Sequence, residues 1–360
     1  MTSTPFHPRA RSGDAGTSAP ALDSLTLHSP DALVCAIPYL LGFHPRDSAV
    51  LVWLGGGRIM LTQRLDLPRR RRELAPWQQA AWTHAAADTA DEVIAILVCA
   101  DGYEHVEAIA ESLLLSARDH GVAVRDLIRH DGHRWRSLLC ADQDCCPDVG
   151  RAVDPAVQAR VAAEFTLLGR APLADRAEVA ESLGADPEVV AEVAQRIDRI
   201  DESDPGRDDA GRDEWRDEAV DALTEHLVGA SPPDPHDPEL LARLLMSLAD
   251  IRVRDTLLWE LARLSPDRLA TALDRAIGLL RAATAGRVAP VATCVAVVAW
   301  LLGDGARATM AIERARTDDP DYTLAALVEA SLAAGLPPGA WRDAMGDLTR
   351  EECRFGPTQR

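Results

Sequence analysis

The chain has 360 residues, 47% of them hydrophobic but only 4% aromatic, and a formal net charge of -19. That length accommodates two domains at the usual ~100 to 200 residues each, and an apolar fraction built on Ala, Leu and Val favours helix over sheet. All 38 basic residues are arginine; without lysine there is no Walker A phosphate loop, no Schiff-base chemistry, no kinase β3 lysine and no Ser-Lys acylase. An acidic surface of this size opposes general binding to DNA or to anionic lipid.

In chain order, residues 1–22 are rich in Pro, Ser, Thr, Gly and Ala, lack the continuous apolar core of a secretory signal and read as a disordered tail. Leu25 to Leu27 reads as a short edge strand. Ser29 supplies an N-cap and Pro30 an N1 residue for a helix to about Leu41, stopped at Gly42. Two β-rich runs, 48–54 and 58–67, flank Gly55-Gly56-Gly57 and predict a hairpin. A helix over about 73–87 leads to an apolar run at 93–99 that suits a buried strand. A helix over about 103–120 and shorter strands at 122–128 and 134–140 follow. This alternation makes residues 23–150 an α/β domain around a mixed sheet.

From residue 154 onward only helices are expected, at 155–168, 176–183 and 187–200, before a strongly acidic stretch at 201–221 that contains Gly and Pro. That stretch, or Ser231-Pro232-Pro233-Asp234-Pro235, reads as a boundary between a helical arm with an acidic linker, 151–235, and an all-helical domain, 236–360. Ala308, Ile312, Ala315 and Pro320 have the spacing of the second helix of a tetratricopeptide unit, but the first-helix signature is missing and no second copy follows at a period of about 34 residues. Tetratricopeptide-like helix pairs and a non-repetitive bundle both remain open. The longest apolar run, 288–302, falls short of the roughly 18 to 20 residues that cross a bilayer, so no membrane segment and a cytoplasmic location are expected.

The densest group of unusual residues is Tyr39-Leu40-Leu41-Gly42-Phe43-His44-Pro45-Arg46-Asp47-Ser48. Together with Arg64-Leu65-Asp66-Leu67-Pro68, Cys145-Cys146-Pro147, and the segments Gly303-Asp304-Gly305-Ala306 and Asp319-Pro320-Asp321-Tyr322, it resembles the actinobacterial domain-of-unknown-function family 4192 over nearly the whole chain after residue 23. The resemblance implies an actinobacterial, cytoplasmic protein and transfers no catalytic residue.

Geometry adds a candidate site. If the two hairpin strands pair through the glycine turn, His44, Asp47 and Ser48 at the start of the first face Arg64 and Asp66 at the end of the second. A histidine between carboxylates suits proton transfer or metal binding, with Arg64 clamping an anionic group; the bland reading is a capped turn and a structural ion pair. A second group runs from His130 to Cys146. Cys140-x4-Cys145 supplies one ligand pair and His133 a third ligand for a metal, zinc above all; Cys146 is a further candidate, and the fourth ligand is unassigned. Loop packing, and a disulfide or redox pair among the cysteines, are the alternatives. Val179, Ala180, Leu183, Gly184, Val190 and Val193 match a helix-turn-helix pattern, yet Glu188 and Glu192 would meet the phosphates, so DNA binding is not expected. No serine elbow, dinucleotide fingerprint or zincin helix is present.

Two functions follow. One is an interaction or regulatory protein that docks a partner, or a second copy, through residues 236–360. The alternative is an enzyme or small-ligand binder built on the rim around His44. The second demands a deep pocket at that rim, the first a broad exposed groove or apolar patch on the helical part.

Overall fold

Ser29 accepts a hydrogen bond from Ala32 N through its side chain and opens helix α1 (Pro30–Leu41), which ends at Gly42 with φ 77°, a left-handed cap that glycine adopts without steric cost. The computed structural model describes residues 27, 29–82, 90–100, 103–203, 209–230 and 234–356. The expected tail at 1–22, Leu25 and Thr26 of the expected edge strand, and the end of the helix expected to reach residue 87 lie outside the described residues; Leu27 itself is not in a strand.

Strands β1 (Ser48–Gly55) and β2 (Arg58–Asp66) form the expected antiparallel hairpin. Gly56 and Gly57 take φ of 56° and 77° at its turn, the paired positive values that bring two twisted strands back alongside each other. Helix α2 (Leu74–Trp82), strand β3 (Glu92–Val98), helix α3 (Val106–Asp119) and strand β4 (Ala123–His130) follow, then β5 (Arg134–Ser137) and the two-residue β6 (Arg151–Ala152), which sequence patterning did not reveal. The sheet order is β2-β1-β3-β4-β5-β6; β3 and β4 are parallel, joined by the α3 crossover, and every other neighbouring pair is antiparallel.

Alternation along β1 decides what each face buries. Ala49, Leu51 and Trp53 join Ala95, Leu97 and Leu127 under α2 and α3, while Val50, Val52 and Leu54 join Ile96, Val98 and Ile128 beneath Leu33, Val34 and Ile37 of α1. On the flank of α1 lies α4 (Pro155–Leu167), held by Tyr39 stacked on Phe165 at 4.8 Å. All later elements are helical, as expected: α5 (Arg176–Ser182), α6 (Pro187–Ser203), α7 (Asp209–Val228), α8 (Pro238–Ser247), α9 (Ile251–Leu261), α10 (Pro266–Arg281), α11 (Val288–Leu301), α12 (Gly305–Asp318), α13 (Thr323–Ala333), α14 (Pro338–Gly346) and α15 (Arg350–Phe355).

Helix α11 is the hub of this half. All fourteen of its residues are buried, and α9, α10, α12, α13 and α14 surround it. Its Ala and Val side chains let neighbours approach, and the Asp318 carboxylate at the end of α12 accepts from Ala289 N, an orphan donor in the first turn of α11, at 3.0 Å and from Gly286 N in the preceding loop at 2.8 Å. The run flagged as the best apolar stretch is therefore a core helix, and among the described residues no helix is long and apolar enough to cross a membrane. A central helix wrapped on every side differs from a stack of equivalent amphipathic pairs, and tetratricopeptide-like pairing is not established.

The acidic stretch expected as a linker is largely helix α7 from Asp209 on. Its acids conceal Ala219, Val220, Leu223 and Leu227, all buried and spaced along one face. Arg216 reaches Asp250 at the cap of α9 through both Nε (3.0 Å) and Nη2 (2.9 Å). Leu223 belongs to the same continuous apolar cluster as Ile37, Val50, Val193 and Val295, so the α1 face of the sheet and the helical half share one core. The helix-turn-helix pattern is absorbed there too, with Val179, Leu183 and Val193 buried in that cluster. We expect Leu223→Ala to lose roughly 2 to 5 kcal/mol of unfolding free energy in urea titration, as for a fully buried leucine; a loss below about 1 kcal/mol, typical of a surface site, would mean that α7 is peripheral.

Candidate functional site

Strand register lines up one edge of the sheet. Ser48 stands opposite Asp66 on one side and Val98 on the other, and Val98 stands opposite His130. The entry to β1 and the carboxyl ends of parallel strands β3 and β4 therefore share this edge, the place where α/β sheets commonly bind ligands. A cleft of about 510 Å3 opens there. His44, Arg46 and Asp47 form one wall, His130, Asp131 and His133 the other, and Ile37, Ile96 and Val98 contribute apolar lining.

The first wall is clamped from two directions. Phe43 bridges to Leu173, with His44 N donating to Leu173 O and Leu173 N to Gly42 O, at 3.1 and 2.9 Å. On the other side, Leu67 N donates to Asp47 O at 2.8 Å. The buried Ser48 hydroxyl donates to Arg46 O at 2.6 Å and accepts from Arg64 Nε at 2.9 Å, while Arg64 Nη2 pairs with Asp66 at 2.5 Å. Between these clamps Asp47 has φ 42°, a left-handed conformation uncommon for a non-glycine residue and of the kind retained where surroundings over-determine the backbone.

The hairpin thus brings Ser48, Arg64 and Asp66 together as expected, in an arrangement that matches the structural ion pair of the bland reading. Ser48 is saturated on both its donor and acceptor sides, and the side chain of Asp66 is 81% exposed. Neither they nor Arg64 line the cleft, which takes only His44 and Asp47 from the anticipated rim. The three act as a latch that positions the 44–47 segment.

The second wall comes from the turn between β4 and β5. Asp131 Oδ1 accepts from His133 N at 2.8 Å and Arg134 N at 2.7 Å, closing the turn, with Gly132 at φ 99° inside it. Burial pushes the Asp131 pKa up, but those two N–H donors and the adjacent imidazoles outweigh it and hold the carboxyl below its ordinary range. His130 Nδ1 lies 2.9 Å from Arg134 O. A carbonyl only accepts, so Nδ1 carries the hydrogen and the neutral ring keeps its lone pair at Nε2. Burial, the largest influence, lowers the His130 pKa and favours this neutral form.

His133 was grouped with the cysteines by sequence proximity, and the fold separates them. It precedes β5 at the cleft, whereas Cys140 follows the far end of that strand, a travel of roughly 13 Å at about 3.4 Å per residue. Among the described residues, the group close enough to share one ion is Cys140, Cys145 and Cys146, without His133. His130 and Asp131 are what sequence reasoning did not connect to His44. The visible signal was Asp131-Gly132 between two strands; what it could not show was that β4 continues to His130 and ends level with the start of β1, one strand away across β3.

Because the folded state disfavours protonated His130, its contribution to stability is complete above the unfolded value of about 6.5 and is lost as pH falls through the lower folded value. We expect the His130 ring to titrate below about 6.5 in proton-carbon NMR, and His130→Gln to flatten the acid side of the stability profile. A ring titrating above that value would contradict the assignment of a neutral, half-buried imidazole.

The chain has no significant match among curated proteins or solved structures. The family model described as Domain of unknown function (DUF4192) matches residues 30–339, spanning both the sheet with its cleft and most of the helical half, and the chain belongs to that family.

Proposed function

We propose that the protein binds, and acts on by proton transfer, a small organic molecule held in the cleft at the sheet edge. One observation carries this reading: a cleft of about 510 Å3, the size of a small-molecule site, brings His44 and Asp47 together with His130 and His133 from a distant part of the chain. The apolar lining suits the body of such a molecule. His130 Nε2, as an acceptor, suits a hydroxyl or amine on the ligand, because Nδ1 is committed to Arg134 O. Asp131 Oδ1 is taken by the turn, so Asp47 and the remaining Asp131 oxygen are the carboxylate acceptors at the cleft, and Arg46 supplies a cationic donor at the first wall.

Docking of a protein partner or a second copy through residues 236–360 is the other reading. Its support is a set of exposed apolar side chains, Ile251, Leu327, Leu336, Leu348 and Phe355. These lie on three different helices and on the turns before α14 and α15, and single exposed apolar residues are ordinary on a soluble surface. The cleft is the stronger feature.

A thermal-shift screen of hydroxyl- and amine-bearing compounds tests the proposal. We expect at least one compound to raise the melting temperature of the native chain by several degrees, as for a ligand well above its Kd, and to lose that effect with His130→Gln. A screen without any shift, or a shift unchanged in His130→Gln and Asp47→Asn, would overturn it.

A further inference from the structure

The loop between β5 and β6 gathers three thiols away from the cleft. Cys140, Cys145 and Cys146 place all their sulfur atoms within 4.8 Å of one another. Cys146 is buried, Cys140 half-buried and Cys145 exposed, so the group has one anchored and one solvent-facing member. The Sγ atoms of Cys145 and Cys146 are 3.9 Å apart. Two sulfurs bound to one ion at about 2.3 Å each lie roughly 3.8 Å apart in tetrahedral and roughly 4.0 Å apart in trigonal geometry. A disulfide requires about 2.05 Å. The spacing is that of two thiols in contact, too long for a disulfide and already within the range that shared coordination requires.

The loop is braced independently of the sulfurs. Cys146 N donates to Asp142 O at 2.7 Å, and the Asp142 carboxylate accepts from Asp144 N at 2.9 Å. Gln143 and Asp148 exchange two hydrogen bonds, Gln143 Nε2 to Asp148 Oδ1 at 3.2 Å and Asp148 N to Gln143 Oε1 at 3.1 Å. Arg151 Nη1 holds Cys145 O at 3.1 Å, and Arg136 pairs with Asp148 at 3.1 Å. This bracing supplies the fixed supporting shell that a metal site needs. Asp142, Asp144 and Asp148 share this loop, and a bound cation would balance the negative charge that the sulfurs acquire as metal displaces their protons.

We propose that Cys140, Cys145 and Cys146 form a three-sulfur site for a single thiophilic closed-shell ion, zinc(II) or copper(I). Each thiol releases its proton to solvent as its metal–sulfur bond forms, so no oxidant is needed and no electron is transferred. Copper(I) is satisfied by the three sulfurs; zinc(II) takes solvent as a fourth ligand on the exposed Cys145 side.

The test uses the full chain, reduced and stripped of metal, titrated separately with zinc(II) and copper(I) against a chromogenic chelator, with thiol alkylation read by peptide mass spectrometry. We expect one equivalent of at least one ion to bind and to protect these three cysteines from alkylation, the exposed Cys145 showing the largest change between metal-free and metal-bound protein. Cys145→Ser, at an exposed position, keeps the circular-dichroism spectrum and melting temperature of the metal-free protein and loses one-to-one binding at micromolar ion. Cys140→Ser gives the same loss. Failure of both ions to bind, binding that survives both substitutions, or a mass two hydrogens short with a bridge among these cysteines in place of bound metal would overturn the proposal.

Discussion

Strand β1 is hydrogen-bonded on both edges, to β2 and β3, and sends alternate side chains into two separate apolar layers. Sliding it by one residue would drive Ala49, Leu51 and Trp53 into the α1 layer and Val50 and Val52 into the α2 and α3 layer, exchanging volumes that the cores do not share. That penalty pins the register of the sheet. Register in turn sets Asp66, Ser48, Val98 and His130 in one row, and the cleft stands at the end of that row. Site geometry is thus a consequence of how two cores are packed.

The polar groups at that edge divide into those consumed by structure and those left for a ligand. Ser48, Arg64 and Asp66 satisfy one another and the Arg46 carbonyl, and Asp131 satisfies the β4–β5 turn. Their work is to hold His44, Asp47, His130 and His133 in place. His130 keeps one nitrogen tethered and one with a lone pair, the arrangement an acid-base or ligand imidazole requires. Strain at Asp47 lies within this clamped segment, where two flanking backbone contacts prevent it from relaxing.

The helical half is more than an appendage. Its central helix α11 is buried on every side, and its core runs without interruption into the α1 face of the sheet. Arg170 Nη2 donates to Leu302 O at 2.7 Å, tying the segment just after α4 to the end of α11. The Phe43–Leu173 bridge, which positions His44, belongs to that same connecting segment. The cleft wall is consequently supported by chain from well beyond the sheet.

Local patterning made much of this legible. The Ser29-Pro30 start, the Gly42 stop, the triple-glycine hairpin, the buried β3 run and the all-helical remainder are short-range properties, written in caps, turn residues and periodicity. Helix α7 was hidden because acids dominate its composition while its four apolar contacts are spaced along one face, and β6 because two paired residues leave no pattern. The candidate site was half legible: proximity of Ser48 to Arg64 and Asp66 follows from a hairpin, a local object. The meeting of His44 with His130, the separation of His133 from Cys140, and the convergence of three sulfurs depend on parallel pairing across α3 and on the path of a braced loop. Those are contacts between residues far apart in the chain or set by non-repetitive backbone, and only the packed tertiary structure selects them.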